Sequence, residues 1–104
     1  MTGEPGEIGS RREGESVTVV VTGEIDVSTA GELDAAIREV EETEISRIVV
    51  DLSDLSFIDS TALEVLLRAS SRHRQDGDRL SFVPSKHDSV TTLIALTCTG
   101  EFFE

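Results

Sequence analysis

Aromatic side chains and cysteine are both scarce in this chain. Its 104 residues include four Phe, no Trp and no Tyr, so the core must be built mainly from Val, Leu and Ile. The scarcity argues against the aromatic stacking platforms that bind single-stranded nucleic acid. The single cysteine, Cys98, cannot form an intramolecular disulfide, which fits a reducing compartment. Cys98 falls in an apolar helical stretch, where we expect a small buried side chain.

Long apolar runs are also missing. None approaches the roughly 20 residues that a membrane-spanning helix needs, and no signal peptide opens the chain. The length suits one domain with one core. We expect a flexible N-terminal tail over residues 1–14, which includes a candidate first edge strand, and one folded domain over residues 15–104. The protein is expected to be cytoplasmic, without membrane contact.

Positive charge is in short supply. Nine Lys and Arg stand against 21 Asp and Glu, which makes the formal net charge −12. Such a chain repels phosphate backbones and anionic lipid surfaces, so binding to nucleic acid or to membranes is disfavoured. A basic partner protein would be attracted. The alternative is that the acidity mainly keeps the protein soluble.

Strand and helix patterns alternate along the chain. Three short apolar runs predict strands, because they are rich in β-branched residues or are followed by proline: Val17–Val21, Ile48–Leu52 and Leu80–Val83. Ile8–Arg12 could pair with the first of these through a turn at Glu13-Gly14. Apolar spacing and capping residues predict three helices: one from a Thr29/Glu32 capping box, one over Ser60–Gln75 ended by Gly77, and one from Ser85 ended by Gly100. The pattern predicts an α/β fold with helices packed on a sheet. It also predicts that the strand Ile48–Leu52 is buried on both faces and that a loop runs through Phe57-Ile58.

Catalytic chemistry finds little support. Asp51, Asp54 and Asp59 lie near the carboxyl end of a strand and could in principle hold a divalent cation. The alternative is that Asp54 and Asp59 are turn and capping residues. His73 and His87 have no zinc-ligand spacing with Cys98, and no glycine-rich phosphate loop is present. We therefore expect no enzyme, no cofactor and no metal.

Ser60 stands out by its position between a buried strand and an apolar helix. Asp59, Ser60 and Thr61 are all preferred N-cap residues, and Thr61 with Glu64 offers a second capping register. Ser60 could therefore be only a cap. The same position is suited to phosphate, because free N–H groups and the helix dipole stabilise an added dianion. Phosphorylation there would change the surface without breaking the fold, as a local switch does.

Two runs of the sequence have a motif-like order, Thr22–Asp26 (T-G-E-I-D) and Ile48–Thr61, which ends in D-S-T. The first resembles the T-G-E-L-D motif of the STAS domain, in its anti-sigma factor antagonist branch. The second resembles the central strand of that family followed by its D-S-S-G or D-S-T-G phosphorylation loop. The resemblance covers roughly residues 15–103. It implies a mixed sheet of four or five strands with helices packed predominantly on one side. It also implies an antagonist that binds an anti-sigma factor and so frees a sigma factor.

The resemblance implies a set of partners and a site. Ser60 takes the position of the serine that is phosphorylated by the anti-sigma factor, a serine kinase of the GHKL type. A PP2C-type phosphatase reverses the modification. Asp26 matches a position beside the phosphorylation loop, and we expect Asp26, Asp59, Ser60 and Thr61 to share one docking surface.

Two residues of the expected docking surface depart from the family pattern. Ala62 and Glu64 stand where glycine is usual, and Glu64 adds charge about one turn from Ser60. That departure keeps a second interpretation open, a STAS interaction or sensor module of a signalling or transport assembly that is never phosphorylated. The chain also ends at Glu104, where the family generally adds a last strand and helix, so we expect that part to be short or missing.

Overall fold

The computed structural model describes residues 6–75 and 79–98, which form a five-stranded mixed sheet and three helices. The elements follow in the order β1 (Glu7–Glu13), β2 (Ser16–Ile25), α1 (Val27–Glu41), β3 (Arg47–Asp51), β4 (Leu55–Ile58), α2 (Ser60–Gln75), β5 (Leu80–Val83) and α3 (Asp88–Cys98). The predicted fold class is confirmed. The predicted helix-ending glycines Gly77 and Gly100, and the side chain of Cys98, lie outside what is described. Across the described ranges, no helix is both long and apolar enough to cross a bilayer.

The predicted edge strand is present. β1 pairs antiparallel with β2, from Glu7 opposite Thr22 to Glu13 opposite Ser16. Gly14 closes the turn with a φ of 61°, a left-handed conformation that glycine adopts without steric cost. The sheet order is β1-β2-β3-β5, so β1 lies at one edge.

β3 and β4 run in succession alongside β2, both parallel to it. Val20 pairs with Asp51, an offset of 51 − 20 = 31, whereas Ile25 pairs with Ile58, an offset of 58 − 25 = 33. Two extra residues are therefore accommodated between the two stretches. The expected loop through Phe57-Ile58 is wrong, because these residues form the end of β4. β2 extends to Ile25, beyond the predicted end at Val21, and supplies the hydrogen-bonding partner that the short strand needs.

The core lies on one face of the sheet. Buried and partly exposed residues alternate along β2, as expected for a strand with one face covered. β3 alternates in the same way, with Ile48 and Val50 fully buried and Val49 partly exposed, so the expectation of burial on both faces is wrong. α1 and α2 pack against each other and contribute buried side chains to this core: Ala30, Leu33, Ile37, Val40, Ala62, Leu63, Leu66 and Ala69.

α3 packs against β4, and the loop before it holds that strand. The Ser85 hydroxyl donates to the carbonyl of Leu55 at 2.7 Å and accepts from the N–H of His87 at 2.9 Å. α3 itself begins at Asp88, after the carbonyl of His87 has accepted the first helical hydrogen bonds. Ser85 therefore supports β4 three residues before α3 begins, whereas the sequence predicted a helix start near Ser85 with its hydroxyl as the cap.

The carboxyl ends of α1 and α2 are joined by a polar cluster. The Glu41 carboxylate accepts two hydrogen bonds from Arg72 Nη2 at 3.0 Å and lies 2.6 Å from His73 Nε2. His73 is 5% exposed. Arg79 donates to the carbonyls of Glu41 and Ile45, both at 2.6 Å, and so satisfies acceptors at and beyond the end of α1. These contacts hold the two helices together at the ends remote from Ser60.

Candidate functional site

Two strand-to-helix junctions, at Asp26 and Asp59, lie side by side at the carboxyl ends of β2 and β4. This end of the sheet is the junction edge. β2 leads into α1 through Asp26, and β4 leads into α2 through Asp59. Ile25 pairs with Ile58, and the N–H of Asp59 donates to the carbonyl of Ile25 at 3.2 Å. The parallel pairing therefore brings both aspartates and the first turns of both helices to the same place.

Asp59 is the N-cap of α2. Its Oδ1 accepts from the N–H of Ala62 at 2.9 Å, and its carbonyl accepts from the N–H of Leu63 at 2.9 Å. This decides among the three candidate caps, because the carboxylate and carbonyl of Asp59 make the hydrogen bonds of an N-cap. Ser60 is then the first helical residue, and its hydroxyl is not required for capping.

The Ser60 side chain is exposed and unengaged. Within the described ranges, no group forms a hydrogen bond with its hydroxyl. The N–H groups of Ser60 and Thr61 precede the first intrahelical hydrogen bond, so they point outward from the positive end of the helix dipole. A nucleophilic hydroxyl is thus presented to solvent at a position where an added phosphate would be stabilised.

Asp26 is the N-cap of α1. Its Oδ1 accepts from the hydroxyl of Ser28 at 2.6 Å and from the N–H of Ser28 at 3.0 Å, while Thr29 Oγ1 accepts from the N–H of Asp26 at 3.0 Å. The capping box is therefore Asp26 with Thr29, and the predicted Thr29/Glu32 box is wrong. The helix begins as soon as β2 ends, since Asp26 supplies a short acceptor at that point.

Hydrogen bonding keeps the Asp26 carboxyl ionised. The hydroxyl and then the N–H of Ser28 donate to its charged form, and together they lower the pKa of Asp26 below its ordinary value. Asp26 is exposed, so it presents this negative charge to solvent beside Ser60's helix.

The structure brings together four of the predicted site residues. Asp26, Ser60 and Thr61 are exposed and Asp59 is half-buried, all at the junction edge of the sheet. Ala62 is different, because its side chain is 0% exposed and lies in the core. Its side chain therefore offers no surface of its own to a partner, because it lies on the same face of α2 as the buried Leu66 and Ala69.

Glu64 lies on the exposed side of α2, one turn beyond Ser60. Its carboxylate forms a salt bridge with Arg68 Nη2 at 3.2 Å. Both side chains are more than half exposed, so solvent screens the pair. The ion pair still offsets part of the charge that the sequence places near Ser60.

The three aspartates considered for a metal site have separate structural partners. Asp51 Oδ1 accepts from the N–H of Ser53 at 2.9 Å, and Asp54 pairs with Lys86 Nζ at 3.2 Å. Asp59 caps α2. Over the ranges the structure describes, no three His, Cys, Asp or Glu side chains converge as a metal site would require. The turn-and-cap interpretation accounts for these residues.

Two exposed apolar residues at the junction edge were not predicted from the sequence as part of the candidate site. Val27, the first residue of α1, is 70% exposed, and Phe57 in β4 is 47% exposed. Phe57 pairs across the strands with Glu24. One signal was available, since Phe57 is one of only four aromatic residues and adjoins Asp59–Thr61, the run that resembles a family motif.

The family model described as "Mlab, STAS domain" matches residues 8–97. Since this match spans most of the 104 residues, the chain belongs to the STAS domain family. The resemblance of the two motifs is thereby confirmed at the level of the family. No curated protein matches the chain with significance.

Solved structures extend this assignment. An anti-sigma factor antagonist from Mycobacterium paratuberculosis is 26% identical, with a TM-score of 0.80 over 95% of this chain and 83% of that chain. The Bacillus cell fate determinant SpoIIAA in its phosphorylated form is 18% identical, with a TM-score of 0.71 over 94% of this chain and 89% of that chain. The murine Slc26a9 anion transporter is 18% identical, with a TM-score of 0.67 over 84% of this chain and 14% of that chain. Anti-sigma factor antagonists thus share this fold, and so does a transporter domain.

Proposed function

We propose that this protein is an anti-sigma factor antagonist that acts as a phosphorylatable partner switch. In its unphosphorylated form it binds an anti-sigma factor that is a GHKL-type serine kinase, and a sigma factor is released. Phosphorylation of Ser60 breaks the complex, and a PP2C-type phosphatase restores it. The protein is a substrate and a binding partner in this scheme, not an enzyme. A cytoplasmic location belongs to the proposal, because the switch acts where transcription does.

The free hydroxyl of Ser60 carries the proposal. It lies at the first position of α2, exposed, while Asp59 makes the capping hydrogen bonds that would otherwise occupy it. The fold therefore loses no hydrogen bond when the hydroxyl is modified. The first-turn N–H groups and the helix dipole favour the added phosphate, so the folded state tolerates it.

Charge supplies the dissociation step. A phosphate adds about −1.5 to −2 charges at neutral pH. It would stand beside Asp26, which is ionised, and Asp59, which caps the same helix. A partner that binds the unmodified edge would then face a strongly charged group in place of a small hydroxyl. The bulk of the phosphate and the cost of desolvating it, where the partner had covered a small hydroxyl, would weaken the complex.

The test uses purified GHKL-type serine kinases of the source genome, each incubated with the protein and ATP. Mass spectrometry of the intact protein and of its peptides should place one phosphate on Ser60. Ser60→Ala should abolish the labelling, whereas Ser89→Ala, a matched exposed serine in the first turn of α3, should leave it unchanged. Labelling elsewhere, or equal labelling of Ser60→Ala, would rule out the proposed switch.

A second candidate is an unphosphorylated STAS module within a transport assembly. One observation favours it, the likeness of this chain to a segment of the Slc26a9 anion transporter. The same kinase assay separates the two functions, because this candidate requires no phosphate on Ser60. Neighbouring genes provide a second criterion: kinase or phosphatase genes favour the switch, and transporter genes favour the module.

A further inference from the structure

The two most exposed large apolar side chains among the described residues flank the strand-to-helix junctions next to Ser60. Across the described residues, four such side chains are exposed: Val27 at 70%, Phe57 at 47%, Val83 at 38% and Leu93 at 37%. Val27 directly follows the cap Asp26, and Phe57 precedes the cap Asp59 by two residues. The two highest exposures therefore coincide with the two strand-to-helix junctions.

Regular backbone holds both side chains outward. Ile58 is 3% exposed, and because successive side chains of a strand point to opposite faces, Phe57 must point away from the core. The pairing of β4 with β2 maintains that orientation. Val27 is fixed as the first residue of α1 by the Asp26–Thr29 capping box. The backbone of neither residue needs to be ordered on binding, which lowers the entropic cost of using it as a contact.

The charge around these two residues has one sign. Glu24 is exposed and pairs across the strands with Phe57, and Asp26 precedes Val27. Among the described residues, no salt bridge involves Glu24, Asp26 or Asp59. The edge therefore offers apolar groups next to carboxylates without cationic partners of their own.

We propose that Phe57 and Val27 are the apolar anchors of the docking surface around Ser60, with Glu24 and Asp26 as its charged rim. The occupant is the kinase of the proposed function, on which this inference rests. Its complementary surface would have an apolar pocket bordered by Lys or Arg. Buried aromatic anchors supply most of the energy of such interfaces, while the charges select the partner and speed association.

The experiment measures binding of the unphosphorylated protein to the kinase that labels it, with ADP in place of ATP, by calorimetry. Phe57→Ser and Val27→Ser should each raise the Kd about tenfold or more, as the loss of an interface anchor does. Val83→Ser is the matched control, an exposed valine on β5, and should change the Kd less than about twofold, since an exposed residue outside the interface is near neutral. Thermal unfolding of all three variants verifies that they fold, and Val27→Ser remains informative if Phe57→Ser is unstable.

The rim has its own measurement. Glu24→Lys should lower the association rate constant and reduce its dependence on salt, because it reverses one charge of the acidic edge. An unchanged rate and salt dependence would contradict the proposed rim.

The outcomes separate this inference from the function on which it rests. If the kinase binds and labels the wild type, and both anchor variants bind within about twofold of it, the proposed anchors are contradicted and the proposed phosphorylation switch is not. If no kinase binds or labels the wild type, the switch fails and the anchors fail with it. Sedimentation of the wild type and of Phe57→Ser tests self-association. A change in mass together with unchanged kinase affinity would assign the surface to a second copy and overturn the inference.

Discussion

At the scale of single residues, the adjacent Asp59 and Ser60 have different roles at the start of α2. Asp59 makes the capping hydrogen bonds of α2, and Ser60 keeps a free hydroxyl. Had Ser60 been the cap, its phosphorylation would have removed a hydrogen bond from the helix. The division of tasks lets the proposed modification act on the surface and leave the helix start intact.

Replacing the cap should therefore affect stability where replacing the serine does not. We expect Asp59→Ala to lower the free energy of unfolding by about 1 kcal/mol, the usual cost of losing an N-cap. Ser60→Ala should change it by less than about 0.5 kcal/mol, as for exposed sites. Urea unfolding followed by circular dichroism measures both. Equal losses in the two variants would mean that Ser60 contributes to the cap.

Gly6 is a second residue with a specific steric role. A Cβ on Gly6 would meet the carbonyl oxygen of Glu24 and lie 2.5 Å from Ile25 Cδ1, closer than real Cβ contacts. We expect Gly6→Ala to destabilise the protein by about 1–3 kcal/mol, as overpacking does. Gly9→Ala, in β1 just after Gly6, is the control, since nothing lies within 4 Å of its added Cβ. Chemical unfolding compares the two, and a neutral Gly6→Ala would show that the chain simply shifts away.

At the scale of elements, each helix that begins at the junction edge is capped by an aspartate. Each cap depends on residues close to it in sequence, whereas the adjacency of the two caps depends on residues far apart in the chain. It depends on the pairing of Ile25 with Ile58 and on the hydrogen bond from Asp59 to Ile25. A short strand of four residues therefore positions the two helix starts that frame the site.

The cap of α1 predicts a pH dependence. The pKa of Asp26 is lowered in the folded protein from the value of 3.8 that is ordinary for the residue. Its hydrogen bonds thus add stability that is present above this ordinary pKa and is lost as the pH falls through the lower, folded pKa. Asp26→Asn, which keeps a capping side chain, should remove this acid-dependent part.

The measurement is the free energy of unfolding of both proteins between neutral and acidic pH. The wild type should exceed Asp26→Asn most at neutral pH, and the difference should shrink below the ordinary aspartate pKa of 3.8. A constant difference over this range would mean that the carboxylate charge does not contribute to the cap.

The polar cluster at the carboxyl ends of α1 and α2 should contribute more to the free energy of unfolding than a single N-cap does. Glu41 is the shared acceptor of Arg72 and of the buried His73, so Glu41→Gln weakens two interactions at once. We expect a loss of about 1–3 kcal/mol, the range for buried polar groups left poorly paired. Glu42→Gln, an exposed neighbour in sequence, should be nearly neutral. Denaturant unfolding of the two variants decides, and similar small effects would show that the cluster adds little.

At the scale of the whole molecule, the polar cluster and the candidate site lie at opposite ends of the α1–α2 pair. The polar cluster joins α1 and α2 at their carboxyl ends, while the exposed hydroxyl and the apolar side chains lie at their amino ends. A change at the junction edge can therefore alter what the protein binds without loosening the core. The net charge of −12 adds a general preference for basic partners.

This separation predicts how a phosphate mimic behaves. Ser60→Asp should lower the affinity for the kinase and leave the free energy of unfolding within about 1 kcal/mol of the wild type, as for a surface change. A negative side chain at the first helical position also suits the dipole. Calorimetric titration and thermal unfolding of the same preparation provide the two values. Extensive unfolding of Ser60→Asp would identify a structural role for Ser60 instead.

Three features could be predicted from the sequence: the alternation of strands and helices, the position of Ser60 at a helix start, and the two motifs of the STAS family. Those features are local, since they depend on the period of apolar residues and on the chemistry of caps. Tertiary structure alone decided that Phe57 and Ile58 belong to β4, that Asp59 is the cap, and that Ala62 is buried. Each of these depends on pairing with β2 or on packing against the sheet, and so on residues far away in the chain. Ser60 was found by its neighbours in sequence, but its free hydroxyl is a consequence of the fold.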